Sequence, residues 1–354
     1  MDDTSNMSFV SSDDNGENMD VKKIAIVAVV MIVIATIATG LVMNNSGDEK
    51  DQGPITVVAN GKTVTLEKPA EKVIVYPKYI GEAMILMDAI DKVAGVSKTI
   101  ATDSNYSSYY ANTKNLGANN PETGFDTVLE LQPDLIITYK TYNNDNAYNS
   151  GIPVLEIGAS KIGEVHEDIE ILGKVLGMEE QADKILKWFD GYYDKVSKSS
   201  ATSDTKFLLE AASKKKVSFM GPTSTMGYTL DMIRGNNVVT EGGYQYWSFD
   251  TVIPTNPNVI MILEYNADWN EEYLKSYRDA VCARSGWDQI DAVKNGEVYS
   301  VSNDIVGGIR SVIGAMFMMS FIDPAYADVD VSKLVDEYND IAGTTFNNKM
   351  VYKN

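Results

Sequence analysis

The chain holds twenty tyrosines, nine phenylalanines and four tryptophans, but only one histidine, His166, and one cysteine, Cys282. A zinc or manganese site built from imidazoles, a Ser-His-Asp triad and a Cys-His pair would each need His166. That residue lies in the polar stretch HEDIEILGKVLG, where a solvent-facing position on a helix is the simpler reading. Cys282 has no partner for an internal disulfide and reads as a small, buried apolar side chain. No carboxylate pair, no nucleophile with a base and no Gly-rich phosphate loop stands out. The residues therefore predict neither an enzyme nor a resident metal or cofactor.

Tyrosine instead collects in short segments that directly follow apolar runs. In the first half these are Tyr76-Pro77-Lys78-Tyr79, the stretch from Tyr106 through Tyr109 to Tyr110, and Tyr139-Lys140-Thr141-Tyr142. In the second half they are the loop from Gly221 to Met226 with Thr223, the run Tyr244-Gln245-Tyr246-Trp247, Glu264-Tyr265, and the loop from Ile305 to Arg310. A tyrosine offers a flat apolar face and a polar tip, which suits a large amphipathic chelate better than a bare ion. Arginine is rare, with only Arg234, Arg278, Arg284 and Arg310. Arg310 follows Gly307-Gly308, where a flexible loop can present its planar fork to a carboxylate, catecholate or hydroxamate oxygen. A cap or an ion pair between lobes is the alternative for it. Lys78 or Lys140 is the second candidate cation. The expected ligand-facing set is thus Tyr76, Lys78, Tyr79, Tyr106, Tyr109, Tyr139, Tyr142, Thr223, Tyr246, Trp247, Tyr265 and Arg310.

Such loops need a scaffold, and the chain contains one unit twice. FDTVLELQPDLIIT, from Phe125, returns as FDTVIPTNPNVIMI from Phe249. Each copy predicts a short helical turn opened by an Asp-Thr cap, a Pro turn, and a continuous apolar run of the kind found in buried parallel strands. A period too long for a solenoid points to two similar α/β lobes with mainly parallel strands, and ligands of such lobes sit beyond the carboxyl ends of the strands. Between them, Glu179 to Ser197 carries Ala182, Ile185, Leu186, Phe189, Tyr193 and Val196 at helical spacing, which predicts one long amphipathic joining helix. Ahead of lobe one, ITVVANGKTVTLEKP reads as a hairpin turning at Asn60-Gly61.

Residues 24 to 43, IAIVAVVMIVIATIATGLVM, carry no charge and match the roughly 20 residues needed to span a bilayer. Lys22 and Lys23 precede the run while Asp48, Glu49 and Asp51 follow it, so the tail is expected to be cytoplasmic and the remainder extracytoplasmic. The run is longer than a signal-peptide core and no small-x-small cleavage site closes it, which favours an uncleaved single-pass anchor. No cysteine follows the run, which argues against lipid attachment. The expected organisation is a disordered cytoplasmic tail over 1–20, an anchor over 21–43, a polar linker over 44–54, lobe one over 55–163, a linking helical segment over 164–200 and lobe two over 201–354. The formal charge of −20 becomes −16 once the tail, with its six acids and two lysines, is set aside. Nucleic acid is excluded as a partner on that charge.

The segments GPITVVANGKTVTLEKPAEKVIVYPKYIGEAMILMDAIDKVAGVS, NLGANNPETGFDTVLELQPDLIIT, IPVLEIG, SGWDQIDAVKNGEVYSV and the Gly-Gly-Ile-Arg-Ser stretch at Arg310 resemble class III substrate-binding proteins, the receptors of ABC importers for iron-siderophore complexes, cobalamin and haem. The resemblance covers nearly all of 54–345. It implies two Rossmann-like lobes bridged by one helix, a monomer, and partners in the permease and ATPase subunits of an importer. It also implies a cargo that is a ferric siderophore, with a corrinoid or haem as alternatives. The family's surface acid in the first lobe, which contacts the permease, matches Glu82, although a helix N-terminal acid favoured by the dipole is an equal reading there. In the second lobe Asp231 is the nearest match, with Glu241 as its rival.

Overall fold

The computed structural model describes residues 53–353 apart from 213–216 and 266–269. The predicted tail and apolar span lie outside the described residues, among which no helix is long and apolar enough to cross a membrane. The described chain opens with a hairpin of Ile55–Ala59 (β1) and Lys62–Leu66 (β2). Its turn residues Asn60 and Gly61 have φ of 51° and 71°, the left-handed pair that a two-residue type I′ turn demands.

Lobe one is a parallel sheet of Val73–Val75 (β3), Val93–Val96 (β4), Lys114–Asn115 (β5), Leu135–Thr138 (β6) and Val154–Glu156 (β7), in the order β5-β4-β3-β6-β7. Strands β3, β6 and β7 are buried at every position, because helices cover both faces of such a sheet and each residue meets apolar neighbours. The helix Glu179–Ser197 then crosses to lobe two, burying Ala182, Ile185, Leu186, Trp188, Phe189 and Val196. One apolar core runs from lobe one through that helix into lobe two.

Lobe two contains Lys206–Ala211 (β8), Ser218–Met220 (β9), Asn236–Asn237 (β10), Tyr244–Gln245 (β11), Val259–Glu264 (β12), Val298–Ser302 (β13) and Val351–Tyr352 (β14), ordered β11-β9-β8-β12-β13-β14 with β10 also beside β8. The expectation of mainly parallel strands holds here only for β8, β10, β12 and β13; the pairings made by β9, β11 and β14 are antiparallel. For β9 against β8 the reason is connection length. Only residues 212–217 separate β8 from β9, which suffices for a hairpin but not for the crossover a parallel pair requires.

The FDTV units occupy matching places. Each begins a helix at its phenylalanine, Phe125 or Phe249, so the anticipated Asp-Thr cap is in fact the first helical turn, where Asp126 and Asp250 face the positive end of the helix dipole. Each ends on a left-handed residue before proline, Gln132 at φ 50° and Asn256 at φ 44°. After the proline the bonding repeats. The Asp134 amide donates to the Lys72 carbonyl at 3.0 Å, and its carboxylate accepts from the Lys72 amide at 3.0 Å. Asn258 does the same with Lys206, at 2.8 and 2.9 Å. Lys72 leads into β3 and Lys206 opens β8, so both copies fasten a new parallel strand to its neighbour by the same clasp.

Candidate functional site

The carboxyl ends of the strands in both lobes open onto a cleft of about 420 Å³, within the range usual for small-molecule sites. Its wall is Lys78, Tyr79, Thr99, Tyr139, Thr141, Tyr142 and Ser160 from lobe one, with Tyr265 and Asn303 from lobe two. Five of the twelve residues expected to face a ligand meet here: Lys78, Tyr79, Tyr139, Tyr142 and Tyr265. Local chain direction explains it, because Tyr139 directly follows β6 and Tyr265 directly follows β12. Tyr139 and Tyr142 meet edge to face with centroids 5.1 Å apart. Tyr265 remains half exposed, and its hydroxyl lies 3.4 Å from that of Tyr244.

Beneath the cleft the lobes are joined by a buried polar cluster. Arg310 is wholly buried and does not line the cleft, so the expectation that it meets a ligand is corrected. Its Nε and Nη2 donate to the two oxygens of Glu82 at 2.8 and 2.7 Å, and Nη2 also reaches the Tyr106 hydroxyl at 2.8 Å. Tyr106 donates to Glu82 at 2.5 Å, and Tyr338 of lobe two donates to the other oxygen. Glu82 is therefore buried at the lobe boundary, and the surface-contact expectation for it is likewise corrected: four donors hold its carboxylate in place of water. Burial alone would lower the Arg310 pKa, but the Glu82 carboxylate and its neighbours raise it well above the ordinary value.

Lys78 forms the second interlobe tie. Its ammonium lies 2.7 Å from Asp103 of lobe one and 2.6 Å from Asp304 of lobe two, and Asn105 donates to Asp304 at 2.8 Å. Burial pushes the Lys78 ammonium down, yet the two carboxylates outweigh it and raise its pKa. Burial pushes Asp304 up, and Lys78 with Arg310 outweigh that and hold it below the usual carboxylate range. Gly307 and Gly308 pack on the Tyr79 ring so closely that an added Cβ would stand 2.5 and 2.7 Å from it. These glycines serve close approach of the lobes rather than a mobile arginine.

The remaining expected residues lie elsewhere. Tyr76 is buried in the lobe-one core with its hydroxyl unpartnered, and Tyr106 is covered entirely. Tyr109 packs edge-on against Phe346 of lobe two. Tyr246 and Trp247 border a separate hollow of about 380 Å³ with Val217, Ser248 and Phe249, and Thr223 is exposed outside the cleft wall. Lys140 is paired with Glu164 at 3.0 Å. Asp231 is exposed on the helix Thr225–Met232. His166 is exposed and bonded to Asp190 at 2.9 Å. Among the described residues no group of histidine, cysteine and acids is placed to hold a metal.

Sequence reasoning missed Thr99, Ser160, Asn303, Asp103 and Asp304. Asn303 and Asp304 immediately follow β13, so applying the strand-end rule from the first residue after that strand would have found both. Nothing local marks Asp103, whose role arises only when lobe two delivers Asp304 to the same ammonium.

A family model described as periplasmic binding protein matches residues 73–305. The chain is 24% identical over 303 residues to the uncharacterized ABC transporter substrate-binding lipoprotein YvrC of Bacillus subtilis, spanning 79% of this chain and 91% of that protein. It is 25% identical to the petrobactin-binding protein YclQ (72% and 81% of the two chains) and 26% identical to the iron(3+)-hydroxamate-binding protein FhuD (73% and 82%), both of the same organism. The ABC transporter solute binding protein of Sulfurospirillum deleyianum has the same fold, with a TM-score of 0.67, 20% identity and 83% and 97% of the two chains covered.

Proposed function

Because the chain belongs to the periplasmic binding protein family, and so to the substrate-binding proteins of ABC transporters rather than to enzymes, we propose that it captures a ferric siderophore in its interlobe cleft and delivers it to an importer's permease and ATPase subunits. The observation that carries this reading is the cleft wall itself. Tyr79, Tyr139, Tyr142 and Tyr265 converge from strand ends of both lobes on a space of about 420 Å³. Aromatic walls with hydroxyl tips suit a preassembled chelate that brings its own metal ligands. One relative is named for an iron(3+)-hydroxamate and another for petrobactin. A corrinoid or haem remains the alternative cargo, although Trp247, whose ring would stack on a macrocycle, borders the other hollow.

In this reading the protein is a monomer held at the membrane by the uncleaved span 24–43, with its tail cytoplasmic and both lobes outside. YvrC is named a lipoprotein, but the single cysteine here, Cys282, lies far beyond the apolar span, so a helical anchor takes the place of a lipid. The exposed Asp231 is the proposed permease contact, with Glu241, also exposed, as its rival.

Native mass spectrometry of the protein purified from its own host tests the cargo. A copurified mass matching a ferric chelate is expected. A corrinoid mass, or a haem spectrum, would overturn the siderophore assignment.

A further inference from the structure

Lys78 is the only charged residue in the described cleft wall, and its charge is already taken. Asp103 and Asp304 grip the ammonium from opposite lobes at 2.7 and 2.6 Å, and both carboxylates are buried. The cluster below the wall comprises Lys78 and Arg310 against Glu82, Asp103 and Asp304, with Arg310 committed to Glu82 and 4.0 Å from Asp304. With all five groups ionised, the floor carries a net negative charge. Among the described residues, no further cation is paired with these five groups. Lys140 is paired with Glu164, and Lys161, which keeps its charge, lies over the Tyr228 ring at 5.4 Å and outside the wall. Lys98 is exposed and outside the wall, and Lys214, Lys215 and Lys216 lie outside the described residues.

From this charge balance we infer that Asp304, with Asp103, sets the cargo's charge: the cleft selects an uncharged or cationic chelate and disfavours a polyanionic one. This rests on the siderophore reading above and narrows it. Three hydroxamates neutralise ferric iron, and an added ammonium makes such a chelate cationic. Three catecholates leave it triply negative. The trianion would face a negative floor whose carboxylates are buried in protein, where like charges interact more strongly than in water. Neutral tris-hydroxamates meet no such penalty and gain the tyrosine faces. Asp304 lies below the wall, so its effect is to neutralise Lys78 rather than to touch the cargo.

The test is calorimetric titration of the purified full-length chain with ferric ferrichrome (neutral), ferric desferrioxamine B (cationic), ferric enterobactin (trianionic) and cobalamin. At least tenfold tighter binding of one or both hydroxamate chelates than of ferric enterobactin is expected. Asp304→Asn, which frees part of the Lys78 charge, should tighten ferric enterobactin about tenfold while moving ferrichrome less than threefold. Melting curves establish that the variant folds. If it does not, the ranking of chelates on the wild type decides alone. Ferric enterobactin bound as tightly as the hydroxamates would overturn the charge-selection inference and leave the siderophore reading standing. Cobalamin bound alone would overturn the siderophore reading while agreeing with an uncharged cargo. No binding of any of the four would overturn both.

Discussion

Arg310 spans the lobe boundary to Glu82, 228 positions earlier in the chain, with a two-pronged contact of 2.8 and 2.7 Å. Both residues are buried. The lobes are thus fastened by a pair whose charges have each exchanged water for the other, with the Tyr106 and Tyr338 hydroxyls completing the carboxylate's bonding.

Breaking that pair from one side leaves a buried, uncompensated charge, a loss that typically runs to about 3 to 5 kcal/mol. Arg310→Ala and Glu82→Ala should each lower unfolding stability by that amount in urea titrations. The double variant Arg310→Met with Glu82→Leu should recover much of it, since no charge is left stranded. Additive single losses in the double variant would show that the two residues do not act as a pair.

Tyr142 and Tyr265 line the cleft from opposite lobes, and Tyr265 is half exposed. An aromatic contact contributes about 0.5 to 1.5 kcal/mol beyond area burial, so alanine at either position should weaken the cargo about two- to tenfold. Unfolding midpoints should hardly move. Tyr76→Phe, which alters a core hydroxyl away from the cleft, should leave binding unchanged. Calorimetry with the copurified ligand checks all three.

Glu264 is expected to give the chain an unusual dependence on pH. It is buried on β12 with one oxygen unpartnered, while Arg284 forks onto Glu210 at 2.6 and 2.7 Å and, among the described residues, no cation pairs with Glu264. Burial first, then the Glu210 charge, pushes its pKa up to about 7. An acid whose folded pKa lies above its ordinary 4.5 binds more protons folded than unfolded. Its contribution is therefore intact below about pH 4.5 and is lost as pH rises toward 7. Glu264→Gln should stabilise the protein at pH 8 by up to about 3 kcal/mol and change little at pH 4. Denaturation at the two pH values measures the difference.

Asp231 is exposed, unlike Glu82, and reversing its charge should disturb docking without touching the cleft. Asp231→Lys is expected to reduce uptake of the cargo in cells while its affinity for the purified chain stays within twofold. Unchanged uptake would transfer the role to Glu241 or remove it from this surface.

Protease added to intact cells should digest the lobes and spare an epitope placed within residues 1–20, as the lysine pair ahead of an uncharged span requires. A soluble mature chain beginning after Met43 would refute the anchor.

Local pattern alone specified much of this protein. Strands β3, β6 and β12 are continuous apolar runs, the hairpin is written in Asn60-Gly61, and the long helix shows in its spacing. The FDTV copies announce equivalent units because the clasp made by Asp134 and Asn258 depends on residues adjacent in the chain to the strands they join. The residues just after strands were legible as cleft candidates for the same reason, and Tyr139 and Tyr265 are there. What tertiary structure decided is which charges meet. Arg310 looks, in sequence, like a free fork on a flexible loop, and Lys78 like an available cation. The partner of Arg310, and one of the two partners of Lys78, come from the other lobe and meet them only where the lobes join at Gly307 and Gly308. Electrostatic partnership depends on distance in space and on the exclusion of water, and neither is encoded in the spacing of residues along a chain.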